Sequence, residues 1–217
     1  MKNNFFFLTF IFFFILKGIS FAEIFEFESS DIKILEKGNI IKAFNGVKAV
    51  SDNGIYSESE RSVYDKKNNI LMLYGNVLIN DPVNKIQTQS DEAIYFKNEE
   101  IMKLLGNVLI NDSINKVQAE SEEAEHFRNE GKMKLLGNVL INDSINKIQT
   151  ESDEAIYFKN EEKMKLLGNV LINDSINKIQ TEAEEVYYYK KKDLLKSVGE
   201  SKTIVKEKYS LKSKDMI

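Results

Sequence analysis

The sequence contains no cysteine and no tryptophan, and only one histidine and one proline, in 217 residues. Without cysteine, the folded chain must be held together by backbone pairing and apolar burial alone. Glycine-rich phosphate-binding loops are also missing, and no serine or aspartate has a paired base that would make it a nucleophile. We therefore expect no enzyme active site and no cofactor.

The chain begins with the features of an export signal. Lys2 precedes an apolar run from Phe5 to Leu16, and small residues follow at Ser20 and Ala22. This pattern predicts a cleavable signal peptide over residues 1–22, with a retained membrane anchor as the alternative. A membrane span needs about 20 apolar residues, and Lys17 interrupts this run. We expect an exported, periplasmic protein.

The charge of the remaining chain is acidic. The whole sequence has a formal net charge of −4, and removal of residues 1–22 takes away two lysines and no acid. Phosphate binding needs concentrated positive charge, so this balance argues against nucleic acid as the main partner.

A seven-residue motif, Gly-Asn-Val-Leu-Ile-Asn-Asp, organises the chain. It begins at Gly75, Gly106, Gly137 and Gly168, always 31 residues apart, and weaker echoes lie at Gly46 and Gly199. Such regularity predicts about six copies of one structural unit. The repeats offer no boundary at which to split residues 23–217, so we predict a single domain that ends in a lysine-rich segment, residues 190–217.

Each unit reads as strand, turn, strand, turn. Val-Leu-Ile runs favour strands, and Gly and Asn-Asp interrupt each unit too often for the apolar stripe of a helical repeat. We therefore predict an all-β fold of stacked units. If each unit gave one strand to each of two facing sheets, it would add about 4.7–4.9 Å, and six units would span roughly 30 Å.

Alternation within one unit predicts which side chains face inward. In the first strand the inward set is Leu135, Gly137, Val139 and Ile141. In the second strand the set is Ile148, Thr150, Ser152, Ala155 and Tyr157. This second set requires a β-bulge at Asp153 and Glu154; the opposite phase, with Ile156 and Phe158 inward, stays open.

Two features have competing explanations. Aspartates recur at the strand-end turns, and turn chemistry explains them better than a ladder of calcium ligands, so we predict no metal site. These aspartates are Asp81, Asp112, Asp143 and Asp174. His126 occupies the slot filled by Tyr95 and Tyr157, which favours a tolerated substitution over a catalytic or metal-binding role.

Several segments together resemble the OstA-like family of lipopolysaccharide transport. They are Phe44–Val47, Gly54–Ser59, Val63–Tyr64, Leu73–Asp81, Ile86–Ser90 and Ala93–Tyr95. The resemblance covers roughly residues 24 to 205. It implies a twisted jelly roll, or β-taco, of two facing antiparallel sheets. It also implies a periplasmic protein without catalytic residues that carries lipopolysaccharide from the inner to the outer membrane during outer-membrane assembly.

The resemblance further implies a lipid site and partners. Acyl chains of lipopolysaccharide would lie against Val77, Ile79, Val108, Ile110, Val139, Ile141, Val170, Ile172, Tyr95, Tyr157 and Tyr188. Edge strands would pair head to tail with inner-membrane-anchored and outer-membrane OstA-like components, or with further copies of this chain as a homo-oligomer. The near-identical central copies depart from the family pattern, which leaves two alternatives: every copy binds lipid, or some copies only lengthen the stack.

Other interpretations remain open at this point. The chain could be an exported structural or adhesive β-repeat protein whose interior is a dry core without lipid, or a shortened relative of the translocon's periplasmic domain. The lysines of residues 190–217 either protect a terminal strand edge from aggregation or form a basic docking patch.

Overall fold

The computed structural model describes residues 25–51, 54–192, 194–206 and 208–216, which are almost entirely β-strand. The predicted signal peptide lies outside the described residues. The strands are β1 Phe25–Leu35, β2 Ile40–Ser51, β3 Tyr56–Ser59, β4 Arg61–Asp65, β5 Ile70–Asp81, β6 Ile86–Phe96, β7 Ile101–Asp112, β8 Val117–Phe127, β9 Lys132–Asp143, β10 Ile148–Phe158, β11 Lys163–Asp174, β12 Ile179–Tyr189, β13 Leu194–Val205 and β14 Tyr209–Met216. Short 3-10 turns occupy Glu36–Gly38 and Lys190–Lys192. Among the described residues, no helix is long and apolar enough to cross a membrane.

All strands belong to one antiparallel meander in which each strand pairs with its neighbours in sequence. Strands β3 and β4 together take the place of one long strand, since both pair with β2 on one side and with β5 on the other. The all-β, repeat-built jelly-roll class is thus confirmed. The expectation that each unit places one strand in each of two sheets is wrong, because the two strands of a unit are neighbours in the same sheet.

A bulge lies in the middle of every full-length pair of strands. Between β9 and β10, Val139 faces Ser152 and Leu136 faces Glu154, so Gly137 and Asn138 together oppose one residue, Asp153. The irregularity predicted at this level is present, but the extra residue lies on the Gly-Asn strand and not on β10. The reason is conformational: Gly137 has φ +75° and Asn138 has φ +46°, a left-handed backbone that glycine and asparagine adopt most readily.

The row of bulges divides the sheet into two walls. We call the row of Gly-Asn pairs the spine, the strand segments on the Leu135 side the first wall, and those on the Val139 side the second wall. Phe25 belongs to the second wall, since it pairs with Ser51, and yet its ring centre lies 5.5 Å from that of Tyr64 and 6.3 Å from that of Tyr95 in the first wall. The sheet is therefore bent at the spine, and its two walls face each other.

This architecture revises the dimensions of the body. Each unit adds two strands, or about 9.5 Å, and the thirteen strand rows of the meander extend over roughly 60 Å. The terminal strands β1 and β14 each pair with one neighbour among the described residues, so each presents an outer edge.

Candidate functional site

The space between the walls is lined by the predicted inward residues of the first strand of each unit. The valines at the second wall, Val77, Val108, Val139 and Val170, are each 2% exposed, and the leucines at the first wall are nearly as deeply buried. The isoleucines two residues on are Ile79, Ile110, Ile141 and Ile172; three are buried and Ile141 packs partly buried against the same core. We call this space the trough. The inward orientation of these residues is confirmed, whereas their contact with lipid stays a prediction.

The tyrosines predicted to line the trough differ from one another. Tyr95 is 8% exposed and Tyr188 is half-buried, but Tyr157 is 39% exposed. Phe25 covers Tyr95, and its strand, β1, has only one copy, at the start of the sheet. Equivalent sequence positions therefore differ in burial because the first strand covers one of them.

The phase left open for the second strand of each unit is settled by burial. Ala155 is 3% exposed, and in the copy covered by β1 the buried residues are Ala93 and Tyr95 while Ile94 and Phe96 are half-buried. The predicted phase therefore holds, although Tyr157 itself is exposed. On the second wall this strand contributes hydroxyl groups instead of alkyl groups, from Thr150 and Ser152 in β10. Ser152 donates a hydrogen bond to the carbonyl of Glu154 at 3.1 Å, and this bond ties down the chain beside the bulge.

One hydroxyl in this row is an exception. Thr150 Oγ1 is buried and has no hydrogen-bond partner, while the equivalent hydroxyl of Thr181 lies 3.0 Å from that of Thr203. An unpaired buried hydroxyl costs about 1–3 kcal/mol. Among the described residues, Ser62 Oγ in the first wall is also buried without a hydrogen-bond partner, so each wall contains one hydroxyl whose hydrogen-bonding capacity is unused. Sequence alternation could place Thr150 inward but could not show which hydroxyl lacks a partner.

The spine is fastened by a repeated side-chain pair on its outer side. Asn107 donates to the carboxylate of Asp91 at 2.8 Å, and Asn138 donates to that of Glu122 at 2.6 Å. The same pairing occurs between Asn76 and Glu60. Each carboxylate also covers the neighbouring glycine, so a bulge on one strand is held by the strand beside it.

Each wall ends in a row of turns, and these rows form the two lips of the trough. The second lip consists of turns such as 143–147, in which Asp143 Oδ1 accepts the backbone N–H groups of Ile145 and Asn146, both at 2.9 Å. Asp143 Oδ2 accepts the Asn146 side chain at 2.7 Å. The aspartates are thus engaged within their own turns, as turn chemistry predicts. In the described part of the chain, no three histidine, aspartate or glutamate side chains are grouped so that they could hold a metal ion.

Successive turns of a lip are joined by backbone hydrogen bonds. The N–H of Ser144 donates to the carbonyl of Lys116 at 3.0 Å, and the N–H of Ser175 donates to that of Lys147 at 3.1 Å. On the first lip, the N–H of Arg128 donates to the carbonyl of Glu100 at 3.1 Å. Each lip is therefore a continuous strip and not a row of independent loops.

The two lips act on each other electrostatically. Burial alone would raise the pKa of the Asp81 carboxyl, but hydrogen bonds from Asn84 and Val83 and the positive charge of Arg128 together lower it. Asp81 belongs to the second lip and Arg128 to the first. Further along the trough, burial and the negative charges of Glu162 and Asp112 raise the pKa of Tyr157. Groups on opposite lips are close enough to influence each other at two positions along the trough.

His126 lies in the first wall close to its lip. Burial, followed by the positive charges of Arg128 and Lys159, holds the pKa of His126 below its usual value. The imidazole is therefore neutral near pH 7, in keeping with the tyrosines that occupy this slot in the sister units.

A cavity of about 50 Å³ lies between the walls at the β1 end of the trough. Its lining combines Phe25, Ile79 and Ser57 from the second wall with Leu73, Tyr95 and Met102 from the first, and it includes Arg128. Sequence reasoning missed Arg128. The signal was present in the third copy, where Arg128 replaces the lysine found at positions 97 and 159.

Comparisons with known proteins give a limited result. No protein-family model matches the sequence, and no curated protein matches it. Among solved structures, the chain is similar to LptH, the LptA-homologous periplasmic component of the lipopolysaccharide transport device of Pseudomonas aeruginosa, with 12% identity, a TM-score of 0.48, and coverage of 55% of this chain and 85% of that one. It is also similar to the TCP10 domain of Danio rerio CPAP in complex with a STIL peptide, with 12% identity, a TM-score of 0.17, and coverage of 85% and 98%. Superpositions of this quality carry no functional argument, so function has to be argued from the trough itself.

Proposed function

We propose that this chain is a non-catalytic periplasmic carrier of lipopolysaccharide, a bridge that holds the acyl chains of the lipid between the two walls while the lipid passes from the inner to the outer membrane. The observation that carries the proposal is the continuous apolar lining of the trough. A valine and an isoleucine of the second wall recur opposite a leucine of the first wall in every central unit.

The energetics suit this role. Transfer of an acyl chain from water to an apolar wall contributes about 0.8 kcal/mol for each buried methylene group. Because the central units are near-identical, the free energy of a bound chain would be similar in each, and no unit would act as a trap. Movement along the trough would then need no large step in free energy.

The bent sheet also offers a way in. The walls are covalently continuous only at the spine, and elsewhere they meet through side-chain contacts such as that of Phe25 with Tyr64. The charge interaction between Arg128 and Asp81 on opposite lips is partly exposed, and such interactions contribute little, typically about 0–1 kcal/mol. Separation of the lips would thus admit a lipid without breaking the sheet.

Partners would join through the terminal strands. β1 and β14 present outer edges, and addition of a strand to a sheet edge is an established mode of recognition. We propose that inner-membrane-anchored and outer-membrane OstA-like components, or further copies of this chain, pair with these edges. The sequence resemblance to the OstA-like family supports this arrangement.

The second candidate is a structural or adhesive β-repeat protein with a dry interior. The close packing of the walls favours it, since residues such as Val139 and Leu166 are almost wholly inaccessible in the closed form. The two candidates differ in whether the walls ever separate around a lipid.

Photo-crosslinking distinguishes them. A photoreactive residue at Ile141, which faces the trough, should give an adduct with lipopolysaccharide in cells, whereas one at Glu151, which is exposed on the outside of the same wall, should not. Adducts from neither position would favour the dry core. Adducts of equal yield from both would indicate adsorption to the surface, which would contradict binding in the trough.

A further inference from the structure

The cavity at the β1 end of the trough combines an apolar interior with a cation at its mouth. Most of its lining consists of alkyl and aromatic side chains, and Arg128 is the cationic side chain among its lining residues. Arg128 belongs to an exposed turn of the first lip, so its guanidinium is reachable from solvent. An apolar cavity beside an exposed cation is the combination that an amphiphile with a negatively charged head group requires.

At the head-group end of the cavity, a guanidinium is joined to a phenol by a hydrogen bond. Arg128 Nη1 lies 3.4 Å from the hydroxyl oxygen of Tyr95 and donates to it, and Tyr95 itself lines the cavity. A guanidinium has five N–H groups in a fixed fork, so one bond to Tyr95 leaves others for an anionic oxygen. Both a phosphate and a carboxylate match this fork.

We propose that Arg128 and Tyr95 form a head-group site for an anionic amphiphile, a phosphate- or carboxylate-bearing lipid whose acyl chain enters the adjoining cavity. The inference rests on the proposed function, since it assumes that the trough receives acyl chains. It adds the place along the trough at which the charged end of the lipid is held.

The charge of Arg128 also reaches the opposite lip. The positive charge of Arg128 acts on Asp81, whose carboxylate lies on the opposite lip. An anionic head bound to Arg128 would offset part of this positive charge, so the attraction between the lips at this point would weaken. The incoming head group thereby favours the separation that its own acyl chain needs.

The cavity is small and can grow at limited cost. About 50 Å³ holds one or two water-sized groups, so a longer chain has to displace lining residues. Met102 is unbranched and flexible, and Phe25 belongs to the terminal strand β1, which pairs on one side only. The β1 end of the trough is thus the part of the lining that yields most easily.

Calorimetric titration with three probes tests the head-group site. Decyl phosphate and decanol share one chain, and both are used below their aggregation limits; inorganic phosphate shares only the head. We expect decyl phosphate to bind about tenfold more tightly than decanol, the gain of one charge-assisted hydrogen bond at a partly exposed site. Inorganic phosphate should compete only weakly.

Variants of the intact mature chain test whether Arg128 causes the preference for decyl phosphate over decanol. Arg128→Gln should remove the preference for decyl phosphate and leave decanol binding unchanged. Lys159→Gln changes the equivalent cation of the next unit, which does not line the cavity, and should keep the preference. Asp81→Asn should strengthen decyl phosphate binding severalfold, because asparagine can still accept the turn N–H groups but no longer places a negative charge near the head group.

The outcomes separate this inference from the proposed function. Equal binding of decanol and decyl phosphate would overturn the head-group site and leave an apolar trough. Failure of both amphiphiles to bind would overturn both proposals. If inorganic phosphate bound as tightly as decyl phosphate, the site would be a plain anion site, and the proposal of an amphiphile as its ligand would be overturned. Should Arg128→Gln fail to fold by circular dichroism, Arg128→Lys keeps the charge found in the sister units and should lower the preference without abolishing it.

Discussion

Replacement of Gly106 by alanine tests whether the bend of the sheet depends on the Gly-Asn pairs of the spine. Gly106 has φ +74°, and a methyl group in place of its hydrogen would lie 2.3 Å from Asp91 Oδ2. Two costs follow. An alanine in the left-handed conformation costs about 1–2 kcal/mol. Displacement of Asp91 also breaks its 2.8 Å bond with Asn107, which contributes about 1 kcal/mol at an exposed site.

The chain supplies matched controls for this substitution. Gly46 and Gly199 have φ +85° and +82°, but an added methyl group would have no atom within 4 Å at either position. Alanine there should incur the conformational cost alone. We therefore expect a loss of about 2–3 kcal/mol for Gly106→Ala and about 1–2 kcal/mol for each control.

Urea denaturation followed by far-ultraviolet circular dichroism measures these losses in the free energy of unfolding. The dependence of this free energy on urea concentration should be the same in all variants. A double-mutant cycle then isolates the contact. Asp91→Ala should reduce the cost of Gly106→Ala by most of the difference, but not by all of it, because Asp91 Cβ also lies 3.0 Å from the added methyl group. Equal losses at Gly106 and Gly199, or an absence of coupling to Asp91, would refute the spine as described.

Three further substitutions probe the wall and the lip. Thr150→Val should stabilise the protein by about 1 kcal/mol, because it removes an unpaired buried hydroxyl. Thr181→Val should destabilise the protein by a similar amount, because the hydroxyl of Thr181 is hydrogen-bonded. Changes of the same sign in the free energy of unfolding, measured by urea denaturation, would contradict this. The pKa of His126 is lowered in the folded protein, so the unfolded chain binds more protons, and the stability falls as the pH drops below about 6.5. His126→Tyr should abolish this fall, which is measured as the difference between the melting temperatures at pH 7.5 and pH 5.5. Asp143→Ala should cost about 1 kcal/mol through its lost turn bonds, while Ser144→Ala should change little.

Much of the fold could be predicted because the chain contains its own alignment. The 31-residue step located the strands and turns, and the alternation of Leu135, Val139 and Ile141 located the interior. The position of the second wall could not be predicted in this way. Two arrangements give the same alternation of side chains: a single strand that bends at Gly137 and Asn138, or two strands in separate sheets. Only the left-handed backbone at the bulge distinguishes the first arrangement from the second.

The candidate site was predictable in its repeated parts and unpredictable where the repeat is broken. Equivalence with Tyr95 predicted a buried Tyr157, but β1 covers only the units near the start of the sheet. Arg128 escaped notice because a lysine-to-arginine change in a surface turn carries no burial signal. Its significance depends on a cavity whose walls lie far apart in sequence, formed by Phe25, Ile79 and Met102.

The near-identity of the central units allows the chain to be shortened without a new junction. Deletion of residues 137–167 joins Leu136 to Gly168, which restores the same Leu-Gly-Asn sequence. The joined strand would lie between β8 and β12, the equivalents of its former neighbours. Because each unit contacts mainly the units beside it, we expect the deleted protein to fold with a modest loss of stability and with a body about 9.5 Å shorter in small-angle scattering. A body of unchanged length, or an unfolded chain, would contradict the stacked arrangement. If the central units serve as equivalent positions for acyl chains, the shortened protein should still form lipopolysaccharide adducts from Ile110, so that any loss of transport would report the span of the bridge and not the chemistry of its interior.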